Sequence, residues 1–144
     1  MTKKDFSHFK YYAKRLKEMG FRDVWCNDAR YPRMDFDKFI DEYASCFISL
    51  MDYSAYNEYD FPRIRLVFFH DVCDRADRGI VSNYKIGFDK DFQEITKPFY
   101  ARLGQNINEY PTWRSAFNQL VKDFHELEKN EHKRIHKGVS IHET

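Results

Sequence analysis

At 144 residues the chain has the length of one ordinary domain, long enough to bury a hydrophobic core without disulfides or a structural metal. Hydrophobic residues make up 42% of the chain and aromatic residues 18%, a composition that excludes intrinsic disorder. No apolar run approaches the ~20 residues that span a bilayer, and the charged start MTKKDFSHFK lacks the apolar segment of a signal peptide. We therefore expect one compact cytoplasmic domain over residues 1–144, in which residues 129–144 form a polar tail that frays or projects.

The net charge of +1 conceals an uneven distribution of charged residues. Residues 1–33 carry nine Lys or Arg and four Asp or Glu, whereas residues 34–62 carry one and seven. A basic first segment and an acidic second segment either pair within the fold or present patches of opposite charge to partners. The sequence leaves both arrangements open.

The first predicted element is a helix from Asp5 to Met19, where apolar residues recur at helical spacing and Gly20 favours a stop. The solvent-facing side of this helix carries a basic ridge. The members of the ridge are Lys10, Lys14 and Lys17. The segment FRDVWCN at residues 21–27 comes next, and its aromatic and β-branched residues predict a short strand.

A second helix is predicted over residues 36–51, because apolar residues recur three and four positions apart. The stripe consists of Phe36, Phe39, Ile40, Tyr43, Ala44, Phe47, Ile48 and Met51. Asp35 or Asp37 is available to cap its first turn. This helix is expected to face the core.

The tyrosines after this stripe raise a question of orientation. At about 100° per residue, a continuation of the helix points Tyr53, Tyr56 and Tyr59 away from the buried side. The alternative is a stop near Asp52, after which the chain folds back and buries some of these rings. The first case predicts an aromatic contact surface.

Two strand-like runs at residues 63–72 and 80–88 predict a β-hairpin, joined by charged residues that end at Gly79. The residues that share one face of these strands are Ile64, Leu66 and Phe68 on the first, and Tyr84, Ile86 and Phe88 on the second. Residues 90–103 are compatible with a helix or a strand, and we favour a helix in spite of Pro98.

The last predicted helix begins near Pro111 and Thr112 and frays before Gly138. Together these elements predict an α+β fold. We expect a small antiparallel sheet of about three strands, including the 63–72/80–88 hairpin, packed against three to four helices.

No motif in the chain identifies a reaction. The adjacent pair His70 and Asp71, followed by Asp74 and Asp77, is similar to the His-Asp pair of metal-dependent phosphohydrolases. This pair lies at the end of a predicted strand, however, and the further ligands of those enzymes have no counterpart here. A metal-dependent hydrolase or nuclease is therefore our second alternative function.

A second candidate for metal binding is the pair His132 and His136, four residues apart on the last helix. Lys133 and Arg134 lie between them and would repel a cation. The three cysteines are widely spaced and form no pair typical of a zinc site. We expect no metal, no cofactor and no catalytic residue.

The preferred function is a non-enzymatic protein-binding module that inhibits or regulates a larger assembly. Ten Tyr and fourteen Phe exceed what the predicted core requires, and aromatic side chains are enriched at interfaces. The predicted partner-binding surface consists of Asp52, Tyr53, Tyr56, Glu58, Tyr59 and Asp60.

The first alternative is a nucleic-acid-binding protein that uses the basic first helix and the C-terminal tail. Its candidate phosphate contacts are Lys10, Lys14, Lys17, Arg22, Arg30, Arg33, Lys133 and Arg134, with Tyr11, Tyr12 or Tyr31 as stacking surfaces. We rank it below protein binding, because the net charge is near zero and the acidic middle segment would repel phosphates.

In composition the whole chain resembles small phage or mobile-element proteins, which are compact and rich in Lys, Asp, Tyr and Phe. Inhibitors of bacterial defence systems, such as anti-CRISPR proteins, are common among them. This resemblance implies a protein that inhibits or regulates a larger bacterial protein or defence complex. No residue motif carries it, so it assigns no functional residue.

Overall fold

A computed structural model describes residues 9–27, 32–52, 61–70 and 79–143, with Asn27 and residues 134–143 described by their backbone alone. The strands are β1 (Arg22–Asn27), β2 (Arg33–Phe39), β3 (Ala44–Met51), β4 (Arg63–His70), β5 (Ile80–Ile86) and β6 (Asn106–Tyr110). The α-helices are α1 (Phe9–Glu18), α2 (Lys97–Arg102) and α3 (Trp113–Glu143), and a π-helical turn at Phe92–Thr96 leads directly into α2.

The six strands form one sheet in which neighbours in space follow chain order from β1 to β6. All pairings are antiparallel except that of β5 with β6, which is parallel because the π-helical turn and α2 carry the chain back across the sheet. The fold is α+β. The expected small antiparallel sheet of about three strands with three to four helices is wrong, since the sheet is mixed and has six strands.

The helix predicted over residues 36–51 is also wrong, because this segment is the β2–β3 hairpin. A carboxylate oxygen of Asp41 accepts hydrogen bonds from the backbone N–H groups of Tyr43 and Ala44, at 2.7 and 2.9 Å, and fixes the turn. Seven of the eight residues of β3 are buried. A strand buried on both faces loses the alternation that identifies strands, so its apolar residues mimicked a helical stripe.

Several other predictions are confirmed. α1 ends before Gly20, which has a φ of 97°, and β1 and the antiparallel β4–β5 hairpin form where expected. Residues 92–102 are helical, as favoured. Phe88, expected on the inner face of the hairpin, lies beyond the end of β5 with 71% of its surface exposed.

α3 begins at Trp113, directly after the predicted start near Pro111 and Thr112. The Thr112 side chain caps the helix, because the Ser115 N–H donates a hydrogen bond to Thr112 Oγ1 at 3.1 Å. The helical backbone continues past Gly138 to Glu143. The strand β6 was missed by the sequence analysis. Its sequence NINEY is short and polar, and its residues have low strand propensity apart from the isoleucine and the tyrosine.

The two faces of the sheet differ in what covers them. One face carries the main core, in which buried residues of β2 to β5 pack against α1 and α3. The other face carries buried polar residues at alternate strand positions, namely Asp35, Ser49, Arg63, Asn83 and Lys85. A smaller apolar cluster, formed by Phe61, Phe92 and Ile107, lies where the π-helical turn covers this second face.

Candidate nucleic-acid interface

α1 and α3 lie side by side on the core face of the sheet, with their N-termini at the same end. The ring of Phe9 lies 5.3 Å from that of Trp113, and the ring of Tyr12 lies 4.9 Å from that of Phe117. Just after α1, the Phe21 ring lies 5.0 Å from that of Phe124. The aromatic contacts hold the helices together and leave their outer sides exposed.

The outer side of α3 carries a run of basic and neutral polar residues that we call the α3 stripe. Its members, all exposed, are Arg114, Asn118, Lys122, His125, Lys129, His132 and Lys133. At about 100° per residue these positions fall within a sector of about 100°. Among the described side chains of α3, this sector contains no carboxylate, and Glu126 lies just outside it. The α3 stripe therefore carries four Lys or Arg side chains and no carboxylate along one exposed side of the helix.

The α3 stripe is joined to α1 by a cluster of two arginines around one exposed tyrosine. The guanidinium carbon of Arg114 lies 4.5 Å from the centroid of the Tyr11 ring, and that of Arg15 lies 5.9 Å from it. Arg15 also donates a hydrogen bond to the Tyr11 hydroxyl at 3.1 Å and lies 3.8 Å from the carboxylate of Glu18. The two contacts with the Tyr11 ring are cation–π interactions, and they orient both guanidinium groups.

We call the combined surface of the α3 stripe, the exposed residues Tyr11 and Lys14, and the half-buried Arg15 the basic face. Lys14 lies three residues beyond Tyr11 on α1 and is exposed. The described residues offer neither Lys122 nor Lys129 an ion pair. These two lysines are therefore available to an anionic partner, whereas Arg15 lies 3.8 Å from the Glu18 carboxylate and His125 lies 3.8 Å from that of Glu128.

The predicted nucleic-acid residues are only partly brought together. Lys10 and Lys14 are exposed on α1, and Lys133 is exposed on α3. Arg134 is described by its backbone alone, and Arg30 and Tyr31 lie outside the described residues. Tyr12 is buried against α3, so it offers no stacking surface, whereas Tyr11 is 39% exposed.

The other predicted basic residues are paired with carboxylates. Lys17 contacts Asp23 at 2.7 Å. Arg22 contacts Asp37 at 2.6 Å, and this hydrogen bond raises the pKa of the arginine. The pairs are partly exposed and contribute little stability, but they neutralise these charges.

Arg33 and Asp35 form a further pair at 2.8 Å on the polar face of the sheet, away from α1 and α3. Two arginines of the basic first segment therefore pair with aspartates of the acidic second segment, whereas Lys10 and Lys14 stay exposed. Asp35 and Asp37 emerge from the face opposite the helices, so they do not oppose phosphates at the basic face.

The predicted partner-binding surface falls almost entirely outside the described residues. Asp52 is described, and its backbone N–H donates to the Pro32 carbonyl at 2.9 Å. The other members, Tyr53, Tyr56, Glu58, Tyr59 and Asp60, are not described. The reason given for their outward orientation no longer holds, because the preceding segment is a strand and not a helix.

His70 has a partner that the sequence did not indicate. Its Nε2 lies 2.6 Å from Oε2 of Glu131, which is only 2% exposed. The contact joins the end of β4 to α3. Asp71, Asp74 and Asp77 lie outside the described residues, and His136 is described by its backbone alone. Within the described ranges, no group of three or more His, Cys, Asp or Glu side chains is placed to hold a metal ion.

Comparisons with protein families, with curated proteins and with solved structures find no match to this chain. Across the residues that the structure describes, none of the helices combines the length and the apolar character needed to cross a membrane.

Arg114, Lys122 and Lys129 were not among the predicted site residues, although the sequence contains a signal for them. Apolar residues recur at helical spacing on one side of the last helix, from Trp113 to Leu127. Basic residues recur at intervals of seven or eight on the side opposite these apolar residues, which predicts an exposed charged surface. Only the contact between α1 and α3, which no local pattern reveals, shows that this surface continues onto Tyr11.

Proposed function

We propose that this protein binds nucleic acid through the basic face. The observation that carries the proposal is the α3 stripe, where four Lys or Arg side chains share a sector without a carboxylate. Phosphate backbones are recognised by such arrays, because each contact releases condensed counterions. The Tyr11 ring, flanked by Arg114 and Arg15, adds an aromatic platform of the kind on which unpaired bases stack.

The dimensions of the α3 stripe fit contacts with several phosphates. At ~1.5 Å per residue, the helix rises about 29 Å between Arg114 and Lys133. This length corresponds to roughly eight base pairs of duplex, at ~3.4 Å per base pair. Contacts to phosphates carry no direct sequence information, so we propose binding with little sequence preference.

The proposal is tested by fluorescence anisotropy with labelled DNA and RNA, single-stranded and duplex, of about 20 nucleotides. The double variant Lys122→Glu/Lys129→Glu reverses two charges of the α3 stripe. We expect it to weaken binding by about tenfold or more, because two phosphate contacts become repulsive.

The matched control is Lys90→Glu/Arg102→Glu, which reverses two exposed charges near the π-helical turn and α2. This control should bind within about twofold of the unmodified protein. Equal loss in both variants would show that only net charge matters, and an absence of binding by the unmodified protein would refute the proposal.

A second candidate function, the protein-binding module expected from the sequence, is supported by an aromatic patch on the polar face of the sheet. Phe39 is 65% exposed, and it lines a hollow of about 210 Å³ with Phe47 and Phe69. Exposed apolar patches often mark protein interaction sites. An inhibitory role in a phage or mobile element, such as the anti-CRISPR-like role proposed above, would use a surface of this kind.

This second proposal is tested by affinity capture from a bacterial lysate treated with nuclease. A protein partner retained by the unmodified chain should be lost with Phe39→Asp, while Lys122→Glu/Lys129→Glu should retain it. The reverse pattern would assign the captured protein to the basic face and contradict the aromatic patch as its binding site.

A further inference from the structure

A cavity of about 410 Å³ lies between α3 and the parallel pair β5–β6. Alternate residues of the two strands line it from the sheet, since Ser82 pairs with Asn106 and Tyr84 with Asn108. The remaining wall comes from α3, through Asp123, Glu126 and Leu127, and from Ile80, Asn83 and Tyr110. The volume is within the range of about 300–1,000 Å³ typical of small-molecule sites.

The charges that line this cavity are all negative. Asp123 and Glu126 contribute carboxylates, and none of the lining residues is Lys, Arg or His. Asp123 is held in place by two donors, the Tyr84 hydroxyl at 2.6 Å and the Gln119 amide at 2.9 Å.

The two tyrosines of the cavity remain uncharged at physiological pH. Burial, together with the hydrogen bond to Asp123, raises the pKa of Tyr84 far above its usual value of 10.0. Burial and the nearby Asp123 charge also raise the pKa of Tyr110. The two rings lie 5.7 Å apart and are tilted, so the cavity combines carboxylates with aromatic rings.

Several polar side chains of the cavity have hydrogen-bonding capacity that the described residues do not use. Within the described residues, Asn108 and Glu126 have no side-chain hydrogen bond, and Asn106 has only a 3.5 Å contact with Ser82. An ammonium or guanidinium group carries three to five N–H donors. The amide oxygens of Asn106 and Asn108 and the carboxylate of Glu126 can accept hydrogen bonds from them. Tyrosine rings attract such cations further through their π faces.

We infer that this cavity binds an organic cation through a primary ammonium or guanidinium group, with Asp123 and Glu126 as its counter-ions. The same group can belong to a free diamine or to a Lys or Arg side chain of a peptide. The site is distinct from the basic face, because Asp123 and Leu127 lie on another side of α3. Its ligand is a cation, whereas the proposed ligand of the basic face is an anionic nucleic acid. The inference therefore does not depend on nucleic-acid binding.

The test is isothermal titration calorimetry of the full chain with 1,4-diaminobutane, N-acetyl-lysine amide and N-acetyl-arginine amide. The uncharged control ligand is 1,4-butanediol. We expect at least one cation to bind and the diol not to bind. Binding of the diamine alone assigns the site to free amines, whereas binding of an amino-acid amide assigns it to side chains of peptides.

Two variants locate the binding. Glu126→Gln removes an exposed charge and should fold normally, and it should weaken cation binding at least fivefold. Asp123→Asn should weaken it further. Glu94→Gln, an exposed carboxylate on the π-helical turn, is the matched control and should leave the affinity unchanged.

Three results would overturn the inference: heat of binding that is equal for the diol and the diamine, equal affinity of all three variants for the cation, or no binding of any cation by the unmodified protein. Each of them leaves the DNA and RNA measurements unaffected. Failure here is therefore distinguishable from failure of the proposed nucleic-acid binding.

Discussion

The inner and outer sides of α3 use charged residues in opposite ways. On the inner side, Glu128 pairs with Lys38 at 3.0 Å and Glu131 with His70 at 2.6 Å, so these carboxylates attach the helix to the sheet. On the outer side, Lys122 and Lys129 have no ion pair within the described residues. Charged side chains of this helix stabilise the fold where they are paired, and our proposal assigns nucleic-acid binding to those that are exposed and of one sign.

The largest expected effect concerns the apolar part of the inner side. Phe124 is fully buried and packs against Phe21, so Phe124→Ala should lower the free energy of unfolding by about 3–5 kcal/mol. Asn118→Ala, on the outer side, should change it by less than about 0.5 kcal/mol. Urea denaturation measures both values, and similar costs for the two variants would contradict the assignment of the sides.

The next effect concerns the polar attachment of α3. His70→Ala removes the hydrogen bond to the buried carboxylate of Glu131 and should cost about 1–3 kcal/mol of stability. His132→Ala removes an exposed imidazole of α3 and should leave the free energy of unfolding almost unchanged. If the two histidine variants unfold at the same urea concentration, the 2.6 Å contact contributes no stability.

A smaller effect depends on pH and concerns the cavity side of α3. The raised pKa of Tyr84 means that the folded state holds this proton more tightly than the unfolded state. Its contribution is fully present below pH ~10 and should be lost above it, at up to about 1.4 kcal/mol per pH unit. Tyr84→Phe should flatten this alkaline decline in thermal unfolding scans, and an unchanged decline would place the titration elsewhere.

The smallest expected effect sharpens the role of the outer side. Tyr11→Ala removes the ring between Arg15 and Arg114 and should weaken binding of single-stranded DNA by about 1 kcal/mol, or roughly fivefold. Tyr11→Phe retains the ring and should bind like the unmodified protein. A loss in both variants would assign the effect to the hydroxyl and its hydrogen bond to Arg15.

Much of the fold was predictable where the apolar residues follow one clear spacing, either that of a helix or that of a strand. α1 and the beginning of α3 have one buried side and a clear stop or cap, and the β4–β5 hairpin has long β-branched and aromatic runs. The β2–β3 hairpin was misread because β3 is buried on both faces, and β6 was missed because it is short and polar. The local spacing of apolar residues does not reveal whether other parts of the fold will cover one face of a strand or both.

The candidate site was predictable only in part, for a related reason. Exposed lysines such as Lys10 and Lys14 follow from helical periodicity, whereas pairing across strands does not. The contact of Arg22 with Asp37 depends on the β1–β2 register, and that of Arg33 with Asp35 depends on side-chain geometry within β2. Both contacts neutralise residues that looked available. The joining of Tyr11 to Arg114 depends on the packing of two helices about 100 residues apart in sequence.

The most direct measurement of the central claim is the salt dependence of DNA affinity, for the unmodified protein and for Lys122→Glu/Lys129→Glu, between about 50 and 200 mM salt. We predict that affinity falls steeply with salt for the unmodified protein and that the logarithmic slope of the variant is smaller by about two. A salt-independent affinity, or equal slopes for the two proteins, would contradict binding through the basic face.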